Sequence, residues 1–111
     1  MDTQRTNCGE VNNSHDGQPV TVKGWVSNRR DHGGLIFIDL RDRSGLLQVT
    51  VNPDDHPDAH RVAEEVRSEW VLEVAGSIQP RPDGTENPSL PTGMFELAAS
   101  TIEVLNPSLT P

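Results

Sequence analysis

The sequence is poor in several features that define common protein classes. Its single cysteine, Cys8, excludes an internal disulfide and a multi-cysteine zinc site, and a small buried or half-buried thiol is expected there. Tyrosine is absent, and Phe and Trp number two each. No apolar run reaches the length of about 18 residues that a membrane-spanning helix needs. The polar stretch Met1 to Arg5 predicts no secretory leader, and a reducing cytoplasm is the expected location.

Basic residues are also scarce, at nine against seventeen acidic ones, which gives a net charge of −8. This total argues against general nucleic-acid binding, because phosphates are neutralised by clustered Lys and Arg. Residues 23–43 nevertheless have a net charge of +2, whereas the rest of the chain has a net charge of −10. Such a segment can guide a polyanion to one face of an acidic body. Alternatively, its arginines pair with neighbouring aspartates on a solvated surface.

Nine glycines and nine prolines favour a turn-rich fold of short strands. Alternating apolar residues predict strands at 20–27, 35–40, 46–51, 70–74 and 94–105, with a bulge or bend at Gly24. Ala59, Val62, Ala63 and Val66 have helical spacing. Residues 79–93 form a proline-rich loop of a length that is usually functional.

Three strands, a helix and two strands in this order predict an all-β OB-fold, a five-stranded Greek-key barrel with a helix between strands 3 and 4. We expect an N-terminal arm with a short helical turn over 1–17, the barrel over 18–105, and the start of a linker over 106–111.

The strand alternation also predicts one unusual outward face. If the apolar alternates of strands 2 and 3 fill the interior, Phe37 and Gln48 point outward. OB-folds bind oligonucleotides on this face, where an aromatic ring can stack on a base and an amide can read its edge. Alternatively, Phe37 packs against a loop or a partner domain. Arg29 and Arg30 can contact phosphate or a base, or can pair with Asp31.

Several segments closely resemble the N-terminal anticodon-binding domain of bacterial aspartyl-tRNA synthetases. They are Cys8-Gly9-Glu10, Gly24-Trp25-Val26, the unbroken run from Arg29 to Gly45, Leu47-Gln48-Val49, Asn87-Pro88, Leu90 to Gly93, and Glu103 to Asn106. The resemblance covers roughly residues 7–111, and asparaginyl and lysyl enzymes match less closely.

The resemblance implies roles for individual residues. Phe37 would stack on the middle anticodon base, a uracil, while Arg30 and Gln48 bond around that base. Glu96 would pair with the first base, a guanine, whose adjacent donors suit an acceptor-only carboxylate; without the resemblance it would be taken for a solvated strand residue. Asn28, which stands where the family commonly has arginine, and Arg29 are candidate phosphate contacts.

His32 and Gly84 resemble the residues of family members that also charge asparagine tRNA. The two anticodons differ only in their third base, and we expect these positions to govern its discrimination.

The resemblance implies a full-length ligase whose separate class II domain uses ATP and Mg²⁺ to make aspartyl-adenylate. That enzyme would be a homodimer without membrane contact, whereas this fragment would be a monomer that catalyses nothing itself. His56 and His60 are spaced like a metal pair, but a solvated helix end is favoured. Two alternatives remain open: a freestanding OB-fold for single-stranded nucleic acid, and a protein-interaction module.

Overall fold

The computed structural model describes residues 4–90 and 92–107, within which five long strands form a closed barrel, accompanied by a two-residue strand and one α-helix. The strands are β1 (Gln4–Arg5), β2 (Pro19–His32), β3 (Leu35–Asp42), β4 (Gly45–Val51), β5 (Val71–Pro80) and β6 (Phe95–Asn106), and helix α1 spans Pro57–Glu65. The predicted OB-fold is confirmed, with α1 between the third and fourth barrel strands in sequence.

The strand pairing closes the barrel without a free edge between its five long strands. Antiparallel pairs join β2 to β3, β3 to β4, β5 to β6 and β2 to β5, and a short parallel pair joins β4 to β6. Closure makes the side chains alternate between a packed interior and an outer surface. The interior holds the predicted core residues Ile36, Ile38, Leu47, Val49 and Val51, each with no solvent-exposed surface.

The irregularity predicted at Gly24 lies elsewhere on the same strand. The register of β2 against β3 shifts between Val26 and Asn28. Gly24 is needed for close packing instead, because a β-carbon there would lie 2.3 Å from the carbonyl oxygen of Arg41.

Several predicted strand limits were wrong. β2 continues to His32 and not only to residue 27, and β3 continues to Asp42 and not only to residue 40. β5 continues through Pro80, so Gln79 belongs to a strand and not to the proline-rich loop. β6 begins at Phe95, and Met94 remains in the loop.

The N-terminal arm packs onto the barrel. Its predicted helical turn is present as two 3-10 turns, Cys8–Glu10 and Asn13–His15. Cys8 and Val11 join the core, and the Cys8 backbone N–H donates to Asp42 Oδ2 at 2.8 Å. Burial and the neighbouring Asp42 carboxylate raise the pKa of the Cys8 thiol. The expected burial of the thiol is confirmed.

The ends of the predicted units fall partly outside the described residues. Residues 1–3 of the arm and 108–111 of the expected linker are among these undescribed positions. In the described part of the chain, no helix has the length and apolarity needed to cross a membrane.

Candidate nucleic-acid interface

The outer faces of β3, β4, β6 and β5 form a continuous groove. The strand register aligns Phe37 with Thr50 and Thr50 with Ala98, and it aligns Gln79 with Glu96. The groove has a volume of about 750 Å³ and extends from this polar centre to the β4–α1 loop. Its walls include Leu35, Phe37, Gln48, Gln79, Thr85 and Glu96.

Phe37 lies half-buried on the groove wall, as the strand alternation predicts. The His32 ring meets it edge-on, with the centroids 5.6 Å apart and the planes at 69°. The guanidinium carbon of Arg30 lies 5.9 Å from the Phe37 centroid. The His32 contact is T-shaped and the Arg30 guanidinium lies over the ring, so the two contacts together restrict the orientation of Phe37.

Arg30 is the first member of a polar network along the groove floor. Its guanidinium donates to Asp39 Oδ2 at 2.7 Å, to Asp39 Oδ1 at 3.3 Å and to Gln48 Oε1 at 3.3 Å. The ion pair considered in the sequence, with Asp31, is therefore not formed. Asp31 accepts a hydrogen bond from the Gly34 backbone N–H instead.

Gln48 and Gln79 hold the carboxylate of Glu96 from two sides. Gln48 Nε2 donates to Glu96 Oε1 at 2.9 Å, and Gln79 Nε2 donates to Oε2 at 2.7 Å. We call these three side chains the glutamine clamp. Glu96 is only 3% exposed and Gln48 only 7%. Glu96 is thus a buried, hydrogen-bonded acceptor, and the solvated alternative is wrong.

Because the Arg30 side chain donates to Gln48 Oε1, the Gln48 amide has one orientation in this network. Its oxygen faces the guanidinium and its nitrogen faces Glu96. Glu96 in turn has two oxygens with about four lone-pair directions. After the two amide bonds, each oxygen retains acceptor capacity for a donor that enters the groove.

Arg81 attaches the loop between β5 and β6 to the groove. It is buried, and it donates from Nε to the Phe95 carbonyl at 3.2 Å and from Nη1 to the Thr85 carbonyl at 3.4 Å. Burial lowers the pKa of this guanidinium, although nearby Glu96 and Asp39 act in the opposite direction. Arg81 thereby holds Thr85 at the groove.

A smaller cavity of about 330 Å³ lies beside Phe37 at the groove end. Its walls are Arg30, His32, Leu35, Phe37, Gln48 and Thr85. His32 and the residue after Gly84 therefore meet at one place. Gly84 itself is exposed with a φ of +89°, and a β-carbon there would touch nothing within 4 Å. Its conformation, and not a lack of space, favours glycine.

Arg29 does not line the groove. Its Nε donates to the Ala63 carbonyl at 2.8 Å and its Nη2 to the Glu64 carbonyl at 3.3 Å, at the C-terminal end of α1. A cation suits the carbonyls of the last helical turn, of which that of Ala63 also accepts from the Val66 backbone N–H at 3.3 Å. The Arg29 side chain is therefore bound at the helix end, apart from the residues that line the groove. Asn28 is exposed on β2, opposite Asp39.

The histidines of the considered metal pair have separate surroundings. His60 meets the Gly34 carbonyl of the β2–β3 hairpin, and His56 lines the groove. Among residues 4–90 and 92–107, no group of three or more His, Cys, Asp or Glu side chains is placed to hold a metal.

Sequence reasoning missed Gln79 and Thr85, which line the groove, and it missed Asp39 and Arg81, which bond to Arg30 and to the Thr85 carbonyl. The alternation of β3 places Asp39 on the same face as Phe37, so its position was available. Gln79 could have been found by extending the period of β5 past Ile78. The positions of Arg81 and Thr85 depend on the loop path, which no periodicity encodes.

Comparisons with known proteins agree with this arrangement. Residues 20–105 match the tRNA anticodon family, described as an OB-fold nucleic acid binding domain. The chain is 55% identical, over 99% of its length, to an aspartate–tRNA(Asp/Asn) ligase of Oleidesulfovibrio alaskensis. It spans 18% of that relative's length.

Two solved structures share the fold. Asparaginyl-tRNA synthetase from Pyrococcus horikoshii is 25% identical with a TM-score of 0.77, and the match covers 93% of this chain and 23% of that one. Aspartyl tRNA synthetase from Entamoeba histolytica is 16% identical with a TM-score of 0.84, covering 98% and 22%. The chain therefore belongs to the tRNA anticodon family of OB-fold nucleic acid binding domains.

Proposed function

We propose that this chain is the anticodon-binding domain of an aspartyl-tRNA synthetase that acts on both aspartate and asparagine tRNA. The observation that carries the proposal is the network from Arg30 through Gln48 to Glu96 on the floor of a groove walled by Phe37. The relative named aspartate–tRNA(Asp/Asn) ligase supports the choice of amino acid and of both tRNAs.

The middle base of the anticodon, uracil, stacks on Phe37 in this proposal. Base–aromatic stacking contributes about 1–3 kcal/mol and does not depend on the identity of the base. Selection for uracil therefore comes from the oriented amide of Gln48 and from Arg30, which offer an acceptor and donors at defined positions.

The first base, guanine, pairs with Glu96. Its N1–H and N2–H₂ groups are adjacent donors, and the carboxylate accepts through both oxygens. A buried carboxylate in a fixed orientation loses little freedom on binding, which favours recognition over a mobile surface acid. The two amides of the glutamine clamp supply that orientation.

His32 and Gly84 take part in reading the third base, where aspartate and asparagine anticodons differ as cytosine against uracil. The cavity beside Phe37, with His32 and Thr85 on its walls, supports this assignment. Asn28, exposed on β2, remains a candidate phosphate contact.

The whole enzyme would activate aspartate with ATP and Mg²⁺ in a catalytic domain beyond this chain, as a cytoplasmic homodimer. We assign the arm to 1–17, the anticodon domain to 18–105 and the start of the linker to 106–111, with the fragment monomeric. The arm packs on the barrel through Cys8 and Val11, so we expect the two to fold together.

A titration with anticodon stem-loops tests the proposal. The 111-residue chain is titrated at low salt with RNAs that share one stem and carry GUC, GUU or an unrelated triplet. We expect GUC and GUU to bind with similar affinity and the unrelated loop to bind at least tenfold more weakly, because it loses the edge contacts to Arg30, Gln48 and Glu96. Affinity should fall as salt rises.

Equal binding of all three RNAs would contradict base-specific reading. It would favour the freestanding single-strand binder. The acidic residues Glu96, Asp54 and Asp55 in the groove argue against that alternative, because they repel phosphates.

Charging assays with the full-length enzyme test whether it acts on both aspartate and asparagine tRNA. A large preference for aspartate tRNA would overturn the dual specificity.

A further inference from the structure

Gln79 lies on β5 directly opposite Glu96 of β6, where the two side chains meet at the groove. It is exposed at the groove wall, whereas its partner Glu96 is buried. Its side chain donates to Glu96 Oε2 at 2.7 Å, a short distance typical of a hydrogen bond to an ionised acceptor. We infer that Gln79 is a positioning residue that sets the orientation of the Glu96 carboxylate and thereby the preference for guanine at the first anticodon position.

The strand register explains why two amides meet one carboxylate. Gln79 is the direct partner of Glu96 across β5 and β6. On the other side, Thr50 of β4 pairs with Ala98 of β6, so Gln48 lies level with Glu96 in the parallel register. The carboxylate is therefore flanked by one amide from each neighbouring strand, on the same outer face.

The two bonds constrain different atoms of the carboxylate. Gln48 holds Oε1, and its own orientation depends on Arg30. Gln79 holds Oε2 independently of Arg30. With only one bond, the carboxyl group could rotate about its last side-chain torsion, which is broad for glutamate. With both hydrogen bonds in place, the plane of the carboxylate is fixed, and so are the directions of the lone pairs that remain free on its two oxygens.

A fixed plane matters for guanine more than for other bases. Guanine presents two adjacent donors, so it gains two bonds only if both oxygens lie in the plane of the base. Adenine has a donor only at N6 and an acceptor at N1, so it can make one such bond but not two. Inosine, which lacks the 2-amino group, tests the second bond alone. Gln79 therefore acts on the choice of base, and the inference rests on the proposed pairing of Glu96 with guanine.

The test compares the wild-type chain with Gln79→Leu, which keeps the size of the side chain and removes its donor. Stem-loops carry guanine, inosine or adenine at the first position, and one carries cytosine at the middle position. The matched control is Gln18→Leu, at an exposed glutamine that does not line the groove. Thermal unfolding establishes that each variant is folded.

We expect Gln79→Leu to lower the guanine-over-adenine and guanine-over-inosine affinity ratios by about tenfold, the range for loss of a hydrogen bond to a charged group. The uracil-over-cytosine ratio at the middle position should stay within twofold, and Gln18→Leu should change none of the ratios. A merely structural role of Gln79 would lower affinity for all RNAs equally.

The outcomes separate this inference from the proposed function. If the wild-type chain itself shows no preference for guanine, the proposed pairing of Glu96 fails. If the wild-type chain prefers guanine and Gln79→Leu retains the full preference, the pairing stands and the role of Gln79 is overturned.

Discussion

Gln48 on β4 donates a hydrogen bond to Glu96 on β6, with Nε2 2.9 Å from Oε1, although the two residues are 48 positions apart in the chain. The bond lies where β4 and β6 pair in parallel, which is the pairing that closes the barrel. The recognition network therefore exists only when the barrel is closed. Binding specificity therefore depends on the pairing of β4 with β6.

Replacing Phe37 by alanine should weaken RNA binding far more than it destabilises the fold. Loss of one stacking platform costs about 1–3 kcal/mol of binding free energy, or roughly 5- to 150-fold in affinity. The affinity of GUC stem-loop RNA and the urea midpoint of each variant give the comparison. Trp25→Ala is the matched control, because Trp25 is a 36% exposed aromatic that does not line the groove. Unfolding of Phe37→Ala would mean that the ring is a core residue.

Replacing Glu96 by glutamine should remove guanine preference and also destabilise the barrel. Gln48 and Gln79 both point amide donors at this position, so a glutamine there would place its own N–H₂ against one of them. We expect guanine stem-loop affinity to fall by at least tenfold, in line with loss of hydrogen bonds to a charged acceptor. Isothermal titration and thermal unfolding measure the two effects. Glu103→Gln, at an exposed position on the same strand, should change neither.

Arg29 and Arg30 are neighbours in sequence but should behave differently when mutated. Arg29→Ala removes two hydrogen bonds to the end of α1, so we expect a loss of roughly 1–3 kcal/mol in unfolding free energy. The salt dependence of RNA binding should not change, because Arg29 contacts no groove residue. Arg61→Ala, which removes an exposed arginine of α1, should cost almost nothing. A reduced salt dependence of RNA binding in Arg29→Ala would show that Arg29 contacts phosphate.

The Cys8 thiol should resist modification in the folded chain. Burial, with the Asp42 carboxylate beside it, raises its pKa above the ordinary value of 9.0, so the reactive thiolate is disfavoured in the native state. A group with a raised pKa contributes stability that is complete below its unfolded pKa and declines as the pH rises above that value. Stability should therefore fall above about pH 9 in wild type and less so in Cys8→Ala.

Thiol-reactive dye at pH 8 checks the same point directly. Labelling should require urea and should follow the unfolding transition. Rapid labelling of the native chain would show that Cys8 is accessible. Cys8→Ala itself is expected to lose some stability, because it leaves a small void in a buried site.

Much of the groove could be anticipated from local pattern. The period of two in β3 and β4 assigns Ile36 and Ile38 to the interior and Phe37 to the surface, and the structure confirms it. The same period places Gln48 on the outer face, but it does not predict that the Gln48 side chain is buried there. Gln48 and Glu96 are buried where their side chains bond to each other and to Arg30 of β2 and Gln79 of β5.

The alternation of apolar and polar residues did not predict which polar side chains bond to one another. Arg30 pairs with Asp39, across the sheet, and not with its sequence neighbour Asp31, whose carboxylate is used within the hairpin turn. Arg29 points to the opposite side of β2 and reaches α1, an element 34 residues away. Successive strand residues face opposite sides, so adjacent arginines necessarily serve different surfaces.

The sequence by itself determined the order of strands and helix, the apolar interior and the kinship with anticodon-binding domains, because these depend on periodicity and on a long contiguous run of residues. The tertiary structure alone decided which polar groups meet: Gln79 with Glu96, Arg29 with α1, and Thr85 with the cavity beside Phe37. Hydrogen bonds have a reach of about 3 Å. Barrel closure and the loop path bring distant side chains within that distance. The local alternation of residues along a strand predicts neither of them.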